Sequence, residues 1–116
     1  MREEKIKIIC NYIVHCPMEE LPGLSVKSLA KKFEISASHL SREFQKQKKM
    51  KLSLFIEQVK ITWSANLMII YPDLTIEEIA KKVGYSLKQF IKNFRSYFLL
   101  KPSMYRDLRY HPKKFF

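Results

Sequence analysis

The sequence predicts an all-α protein of about seven helices, with two tandem helix-turn-helix subdomains joined by a long linker helix. The main observation is an internal repeat. Residues 25–44, SVKSLAKKFEISASHLSREF, align without a gap with residues 75–94, TIEEIAKKVGYSLKQFIKNF. An internal repeat fixes the architecture of a chain, because each copy is one structural unit. The second observation is an uninterrupted helical pattern of apolar residues from Lys51 to Tyr71, between the two copies.

Each copy of the repeat has the pattern of two short helices joined by a tight turn. Ser25 and Thr75 are favourable N-cap residues, and apolar residues at i, i+3, i+4 and i+7 spacing follow each of them. Ser36 and Ser86 can cap the second helix of each copy. Gly84 supplies a left-handed turn residue in the second copy. These features together are typical of a helix-turn-helix motif.

Helices are also predicted at both ends of the chain. The first runs from Glu3 to about His15 and has an apolar stripe. This stripe contains Ile6, Ile9, Ile13 and Cys16. A last short helix is predicted to begin at Pro102, because proline suits the first helical position. Its candidate core residues are Met104, Tyr105 and Leu108.

The linker helix is predicted to be long and rigid, and Pro72 closes it because the residue before a proline avoids the helical region. Its expected buried stripe is Leu52, Ile56, Val59, Trp63, Leu67 and Ile70. About twenty residues at about 1.5 Å each span about 30 Å, and successive major-groove faces on one side of B-DNA lie about 34 Å apart. We therefore expect this helix to hold the two second helices so that each enters one of two consecutive grooves.

The predicted domain organisation has four parts. They are the N-terminal helix with the first helix-turn-helix (1–50), the linker helix (51–71), the second helix-turn-helix with the C-terminal helix (72–110) and a frayed tail (111–116). With 116 residues, of which 47% are apolar, the chain can form one compact unit or two small lobes with a core.

Positive charge is concentrated on the repeat and the tail. The formal net charge is +11 and the pI is about 9.7, which predicts a polyanionic partner. Residues 25–50 carry seven Lys/Arg and two acidic residues, residues 75–100 five and two, and residues 101–116 five and one. The segments 1–24 and 51–74 are close to neutral. The alternative is a solvated basic surface without a partner.

Other functional classes find little support. The chain has two cysteines and no paired-cysteine framework, which favours a reducing compartment. It has no apolar run of about 18 residues and no signal-peptide core at its start, so we expect a cytoplasmic protein. The segment CNYIVHC lacks zinc spacing and a fourth ligand. The acidic residues are scattered and there are only two glycines, so we expect no metal site, no cofactor, no phosphate-binding loop and no catalysis.

The chain resembles the DNA-binding domain of the AraC/XylS family of bacterial transcription regulators over about residues 24–107. The matching segments are LA at 29–30, SASHLSREF at 36–44, K..WSANLM at 60–68, TIEEIAKKVGYS at 75–86, F..NF at 90–94 and P..YR at 102–106. The resemblance implies sequence-specific binding of double-stranded DNA in the control of transcription. It also implies RNA polymerase as a second candidate partner.

The chain departs from the family at several positions. The family usually has glycine where this chain has Glu34, Lys49 and Leu99, and Glu34 would strain the first turn unless that turn is built differently. Lys60 and Lys92 stand where arginine is commoner, and the second copy lacks one residue between its turn glycine and its final Phe. Family members usually carry a further sensing or dimerisation domain. The chain is therefore interpreted as a stand-alone regulator, expected to be a monomer, or as one domain of a longer regulator, for which a dimer is the alternative.

The second helix of each copy is the candidate recognition helix. Leu40 with Phe44, and Phe90 with Phe94, are expected to face the core, which leaves the opposite face for the groove. The base-contact candidates are Ser38, Ser41, Arg42, Gln45, Lys88, Gln89, Ile91 and Lys92. The resemblance maps base contacts onto Ser38, Ser41 and Arg42.

Specific chemistry is expected of three candidates. Arg42 can bond the two acceptors of a guanine, Gln89 can pair with adenine, and Ile91 can contact a thymine methyl group. The alternatives are a phosphate contact for Arg42 and partial burial for Ile91. Candidates for phosphate contacts, which position a protein without specifying sequence, are Ser36, Lys46, Lys48, Lys49, Ser86, Arg95, Lys101 and Arg106. For the two serines, capping alone is the alternative.

The alternative function from the sequence is a protein-interaction module. Such a basic helical domain would dock on RNA polymerase or on another regulator and would barely touch DNA.

Overall fold

The structure is a computed structural model in which residues 2–110 are described. These residues form seven α-helices and one 3₁₀ turn, without a strand, which confirms the all-α prediction. The elements are α1 (Glu3–Val14), the 3₁₀ turn (Leu21–Gly23), α2 (Val26–Lys32), α3 (Ala37–Lys48), α4 (Leu52–Ile70), α5 (Ile76–Lys82), α6 (Leu87–Phe98) and α7 (Pro102–Tyr110). The tail expected to fray, 111–116, lies outside the described residues.

The chain forms two compact units, Met1–Val59 and Lys60–Phe116. The first unit contains α1, α2, α3 and the beginning of α4. The second contains the rest of α4 with α5, α6 and α7. The helix predicted as a linker, α4, therefore supplies residues to both units.

All four predicted N-cap residues cap their helices. The side-chain oxygens of Ser25, Ser36, Thr75 and Ser86 each accept a hydrogen bond from the backbone N–H three residues later, at 3.0–3.2 Å. At Ser25 the bond is reciprocated, because Ser28 Oγ accepts from the Ser25 N–H at 2.9 Å. Each bond satisfies one of the orphan donors at a helix start. The sequence therefore defines where α2, α3, α5 and α6 begin.

The core of the first unit joins α1 to the helix-turn-helix. The whole predicted stripe of α1 is buried, with Ile6, Ile9 and Ile13 fully inaccessible. Leu29 of α2 and Leu40 of α3 are also fully buried. α1 and α2 both pack on α3, so α3 is held from two sides.

The second unit repeats this plan with a more aromatic core. Ile79 of α5, with Phe90 and Phe94 of α6, is fully buried. The Phe94 ring lies 5.4 Å from the ring of Tyr105, centroid to centroid, in an edge-on arrangement, which is a favourable geometry for aromatic pairs. This contact attaches α7 to α6.

The structural repeat is longer than the sequence repeat. α4 begins at Leu52 and α7 begins fifty residues later at Pro102, and both first residues are buried. The Phe44 and Phe55 rings lie 5.5 Å apart, which matches the Phe94 contact of α7 at the same offset. This extension is not visible in the sequence, because the two helix starts share burial and an aromatic residue but little residue identity.

Two predicted core patterns are wrong in part. On α4, Ile70 is 60% exposed and Val59 and Trp63 are half-buried, while Ile61, Ser64 and Met68 are fully buried. A single stripe fails because the two halves of α4 belong to different units. On α7, the predicted core residue Met104 is 42% exposed. The other two predicted core residues, Tyr105 and Leu108, are half-buried.

Non-glycine residues hold left-handed backbone conformations at three of four repeat-related positions. Glu34 has φ 55° where the second copy has Gly84 with φ 93°, and Lys49 and Leu99 have φ 60° and 62°. These are the three positions at which the resembling family usually has glycine. The turn at Glu34 thus keeps a left-handed residue without glycine, and its Cβ carries a steric cost.

We expect Glu34→Gly to stabilise the folded chain by about 1 kcal/mol, because it relieves the left-handed strain. The free energy of unfolding from a urea titration measures the effect. Glu34→Gln is the matched control, since it removes the same charge but keeps the strained backbone, and it should leave the stability unchanged. If both variants gained the same free energy of unfolding, the effect would come from the lost charge, and the explanation by backbone strain would be wrong.

Candidate nucleic-acid interface

The candidate interface of the first unit is the outer face of α3. Leu40 and Phe44 are fully buried, as expected, and they fix the rotation of the helix about its axis. Ser38, Arg42 and Gln45 are exposed, and Ser41 is half-buried. This face presents a guanidinium, an amide and small hydroxyls, which are groups that can bond base edges in a major groove.

The candidate interface of the second unit is the outer face of α6. Lys88, Gln89 and Lys92 are exposed, while Ile91 is half-buried. The half-burial of Ile91 agrees with the alternative that the sequence left open, although part of its side chain remains accessible. Leu87, which was not among the candidates, is 38% exposed at the start of the helix. The face of α6 is therefore both more basic and more apolar than the face of α3.

Local hydrogen bonds order the N-terminal turn of α6. Ser86 accepts from the Gln89 N–H at 3.2 Å, and Gln89 Nε2 donates to Asn93 Oδ1 at 2.7 Å. Asn93 is only 7% exposed. Asn93 lies in the matching segment F..NF but was not among the predicted site residues. A polar residue beside the buried Phe94, four residues after Gln89, was the available signal.

The candidate phosphate contacts are mostly surface residues next to these helices. Lys46, Lys48, Lys49, Arg95 and Lys101 are exposed. The capping serines Ser36 and Ser86 are also exposed, at the starts of α3 and α6. Helix N-termini attract anions because their backbone N–H groups and dipoles point outward. Within α6 no acidic side chain opposes the three cations Lys88, Lys92 and Arg95.

Arg106 differs from the other phosphate candidates because it is half-buried. Its Nη1 donates to the backbone carbonyl of Leu74 at 2.6 Å. Its Nε and Nη2 atoms are also buried, and neither has a hydrogen-bond partner in the described residues. The guanidinium thus joins α7 to the loop before α5. Its phosphate contact stays a prediction.

A cation more deeply buried than Arg106 lies in the same unit. Lys60 is 6% exposed, and its Nζ lies 5.3 Å from the centroid of the Tyr85 ring. This cation–π geometry compensates part of the desolvation of the ammonium group. Tyr85 directly precedes the cap residue of α6, so this contact supports the turn that leads into the candidate interface.

The cysteines and the histidine of the segment CNYIVHC belong to no metal-binding group in the described part of the chain. Within residues 2–110, no group of three or more His, Cys, Asp and Glu side chains is placed to hold a metal ion. Burial raises the pKa of the Cys10 thiol, and the nearby Lys48 ammonium opposes this effect only in part. The thiol is therefore protonated at neutral pH. Among the same residues, no helix combines the length and apolar character required to cross a membrane.

The comparison with protein-family models decides the family of the chain. The model described as "Helix-turn-helix domain" matches residues 29–108, which is more than half of the sequence. The chain belongs to the AraC-type helix-turn-helix family. It is accordingly a DNA-binding transcription regulator domain.

A curated relative supports this membership. The AraC-type chain is 37% identical to the Msm operon regulatory protein of Streptococcus mutans over 85 residues. The aligned region covers 72% of this chain. The match covers 30% of that protein. The chain therefore spans about a third of the length of this relative.

Solved structures agree with the fold. The C-terminal domain of the two-component response regulator yesN from Fusobacterium nucleatum has a TM-score of 0.75 and 25% identity, over 90% of this chain and 99% of that one. The DNA-binding domain of AdpA, determined in complex with a target DNA, has a TM-score of 0.70 and 20% identity, over 89% of this chain and 96% of that one. The second likeness bears on the fold alone.

We expect Arg106→Ala to destabilise the DNA-free chain by about 1–3 kcal/mol, because the Leu74 carbonyl loses a charged donor. Thermal and urea unfolding without DNA measure the effect. The matched control is Lys101→Ala, which removes an exposed cation five residues earlier and should leave stability nearly unchanged. If both variants were as stable as the original chain, the hydrogen bond to Leu74 would make no contribution to stability.

Proposed function

We propose that the chain binds one asymmetric site of about 20 base pairs in double-stranded DNA and inserts α3 and α6 into adjacent major-groove segments. In this proposal it acts as a sequence-specific transcription regulator and binds as a monomer. The observation that carries the proposal is the duplicated exposed face. In both copies a capped helix buries two large apolar residues and leaves polar and basic residues accessible.

In this proposal some exposed side chains contact bases and determine specificity, and others contact phosphates and contribute affinity. Three exposed side chains can bond base edges. They are Arg42 on α3 and Gln89 and Lys92 on α6. The flanking cations Lys46 and Lys101 are suited to phosphates, which contribute affinity and salt dependence without specifying sequence. The net charge of +11 supports a polyanionic partner.

In this proposal α4 is the spacer between the two recognition helices. Its 19 residues contain no glycine and no proline, so the helix has no intrinsic break. At about 1.5 Å per residue it spans about 28 Å, which is comparable to the repeat of about 34 Å between groove faces.

We assign no enzymatic step to the chain. The acidic residues, such as Glu43, Glu57 and Asp73, are scattered along the sequence. The proposed site consists of hydrogen-bonding groups and cations that bind DNA without altering it. A bacterial cytoplasm, where the chromosome is accessible, is the proposed location.

Selection of bound sequences from a pool of random duplexes tests the proposal directly. We expect one enriched motif with two unlike halves about one helical turn apart. Titrations of the selected duplex and of a scrambled duplex, at several salt concentrations, then separate specific from nonspecific binding. Equal affinity for both duplexes at every salt concentration would reject sequence-specific recognition.

We expect Arg42→Ala to relax the base preference at one position of the selected site, at a cost of about 1–3 kcal/mol for the preferred base. Competition titrations with single base-pair variants of the site measure the effect. Lys46→Ala is the control, because loss of a phosphate contact should weaken all duplexes alike and lower the salt slope by about 1. If Arg42→Ala lowered the affinity for all duplexes equally, Arg42 would contact a phosphate and not a base.

A second candidate function is docking on a protein such as RNA polymerase. The observation in its favour is a group of exposed apolar side chains around the turn between α6 and α7, where Leu99 is 84% exposed and Tyr97 and Met104 are also accessible. A gel mobility-shift assay with the selected duplex separates the two functions, since a module that acts only on protein would produce no shift.

A further inference from the structure

The second recognition helix contains an amide pair that is absent from the first. Gln89 is exposed on the outer face of α6, and its Nε2 donates to Asn93 Oδ1 at 2.7 Å, one helical turn further on. Fifty residues earlier, the equivalent positions of α3 hold His39 and Glu43, so an amide–amide pair is specific to α6. The repeat therefore does not require an amide pair at these two positions.

Asn93 occupies an unusual position for an amide. It is 7% exposed and directly precedes the fully buried Phe94. Burying an amide costs free energy unless its polar atoms are hydrogen-bonded. Gln89 supplies one of these bonds from the solvent side, so the buried amide faces a side chain that the proposed function places in the DNA groove.

We propose that Asn93 is a positioning residue that orients the Gln89 amide to recognise an adenine in the major groove. The proposal rests on the proposed function of α6 as a recognition helix. Gln89 Nε2 carries two hydrogens. The hydrogen on the far side of Nε2 from Oε1 can be the one donated to Asn93 Oδ1. The amide edge formed by Oε1 and the other hydrogen then remains available to a base. That edge accepts from adenine N6 and donates to adenine N7, which is the bidentate pattern of glutamine with adenine.

The advantage of the pair lies in pre-organisation. A free glutamine has many rotamers, and ordering such a side chain on binding lowers affinity by a factor of about 2 to 12. In α6 the Asn93 bond imposes this order before DNA arrives. Asn93 lies beneath Gln89 and is too buried to contact a base, so its effect on specificity must pass through Gln89.

The test is a double-mutant cycle on base discrimination. For the original chain, Gln89→Ala, Asn93→Leu and the double variant, the ratio of Kd values is measured between the selected site and the same site with the adenine replaced. We expect Gln89→Ala to abolish a preference of roughly 5- to 150-fold. Asn93→Leu should reduce the preference about 3- to 10-fold and should have no further effect in the Gln89→Ala background. The ratio cancels any uniform loss of affinity.

Two further variants keep the test decisive. Asn93→Asp retains an acceptor for Gln89 Nε2 and should preserve the preference to within about twofold, although its charge weakens all duplexes. If Asn93→Leu does not fold, as judged by circular dichroism, Asn93→Ala removes the acceptor without adding volume and takes its place in the cycle.

The outcomes separate the inference from the function on which it rests. A selected motif whose adenine preference is lost in Gln89→Ala but intact in both Asn93→Leu and Asn93→Ala would overturn the positioning role and leave the proposed function standing. A preference unaffected by Gln89→Ala would also overturn the inference. If the original chain selected no motif, the proposed function itself would fail.

Discussion

The structure depends on the burial of two large apolar side chains, one turn apart, on each second helix of the repeat. Leu40 with Phe44, and Phe90 with Phe94, have no exposed surface. Burying side chains of this size contributes about 1.5–3 kcal/mol each. A rotation of either helix about its axis would bring them back into water. The rotation of α3 and α6 is therefore set by the core, and with it the identity of every side chain that each helix presents outward.

The features set by short-range chemistry were predictable from the sequence. Serine and threonine are favoured at the N-cap because their hydroxyl accepts from a backbone N–H of the first turn, and Ser25, Ser36, Thr75 and Ser86 each mark a helix start correctly. The apolar spacing of α1 likewise identified its buried stripe. The outward position of Arg42 followed from the same periodicity, since residues opposite a buried pair must face solvent. Whether these outward residues contact bases stays a prediction.

The features set by tertiary contacts were not predictable. Nothing local distinguishes Arg106 from Lys101 as a surface cation, and only the approach of α7 to the Leu74 carbonyl gives Arg106 a structural bond. The buried face of α4 could not be deduced from one stripe, because two cores draw on the same helix. The glycine that the family usually has at this position predicted strain at Glu34 unless the turn is built differently, but only the backbone angle, φ 55°, shows that the left-handed turn is retained.

The unlike outer faces of the two recognition helices have a consequence for any promoter that the chain occupies. α3 presents Ser38, Ser41 and Arg42, whereas α6 presents accessible parts of Leu87 and Ile91 among cations. Apolar side chains favour thymine methyl groups, and guanidinium favours guanine. Under the proposed function, reversing the chain end to end on its target would oppose each face to the wrong bases. A bound chain would thus have a fixed polarity on its operator, and inverting the operator would reverse the chain relative to the start of transcription.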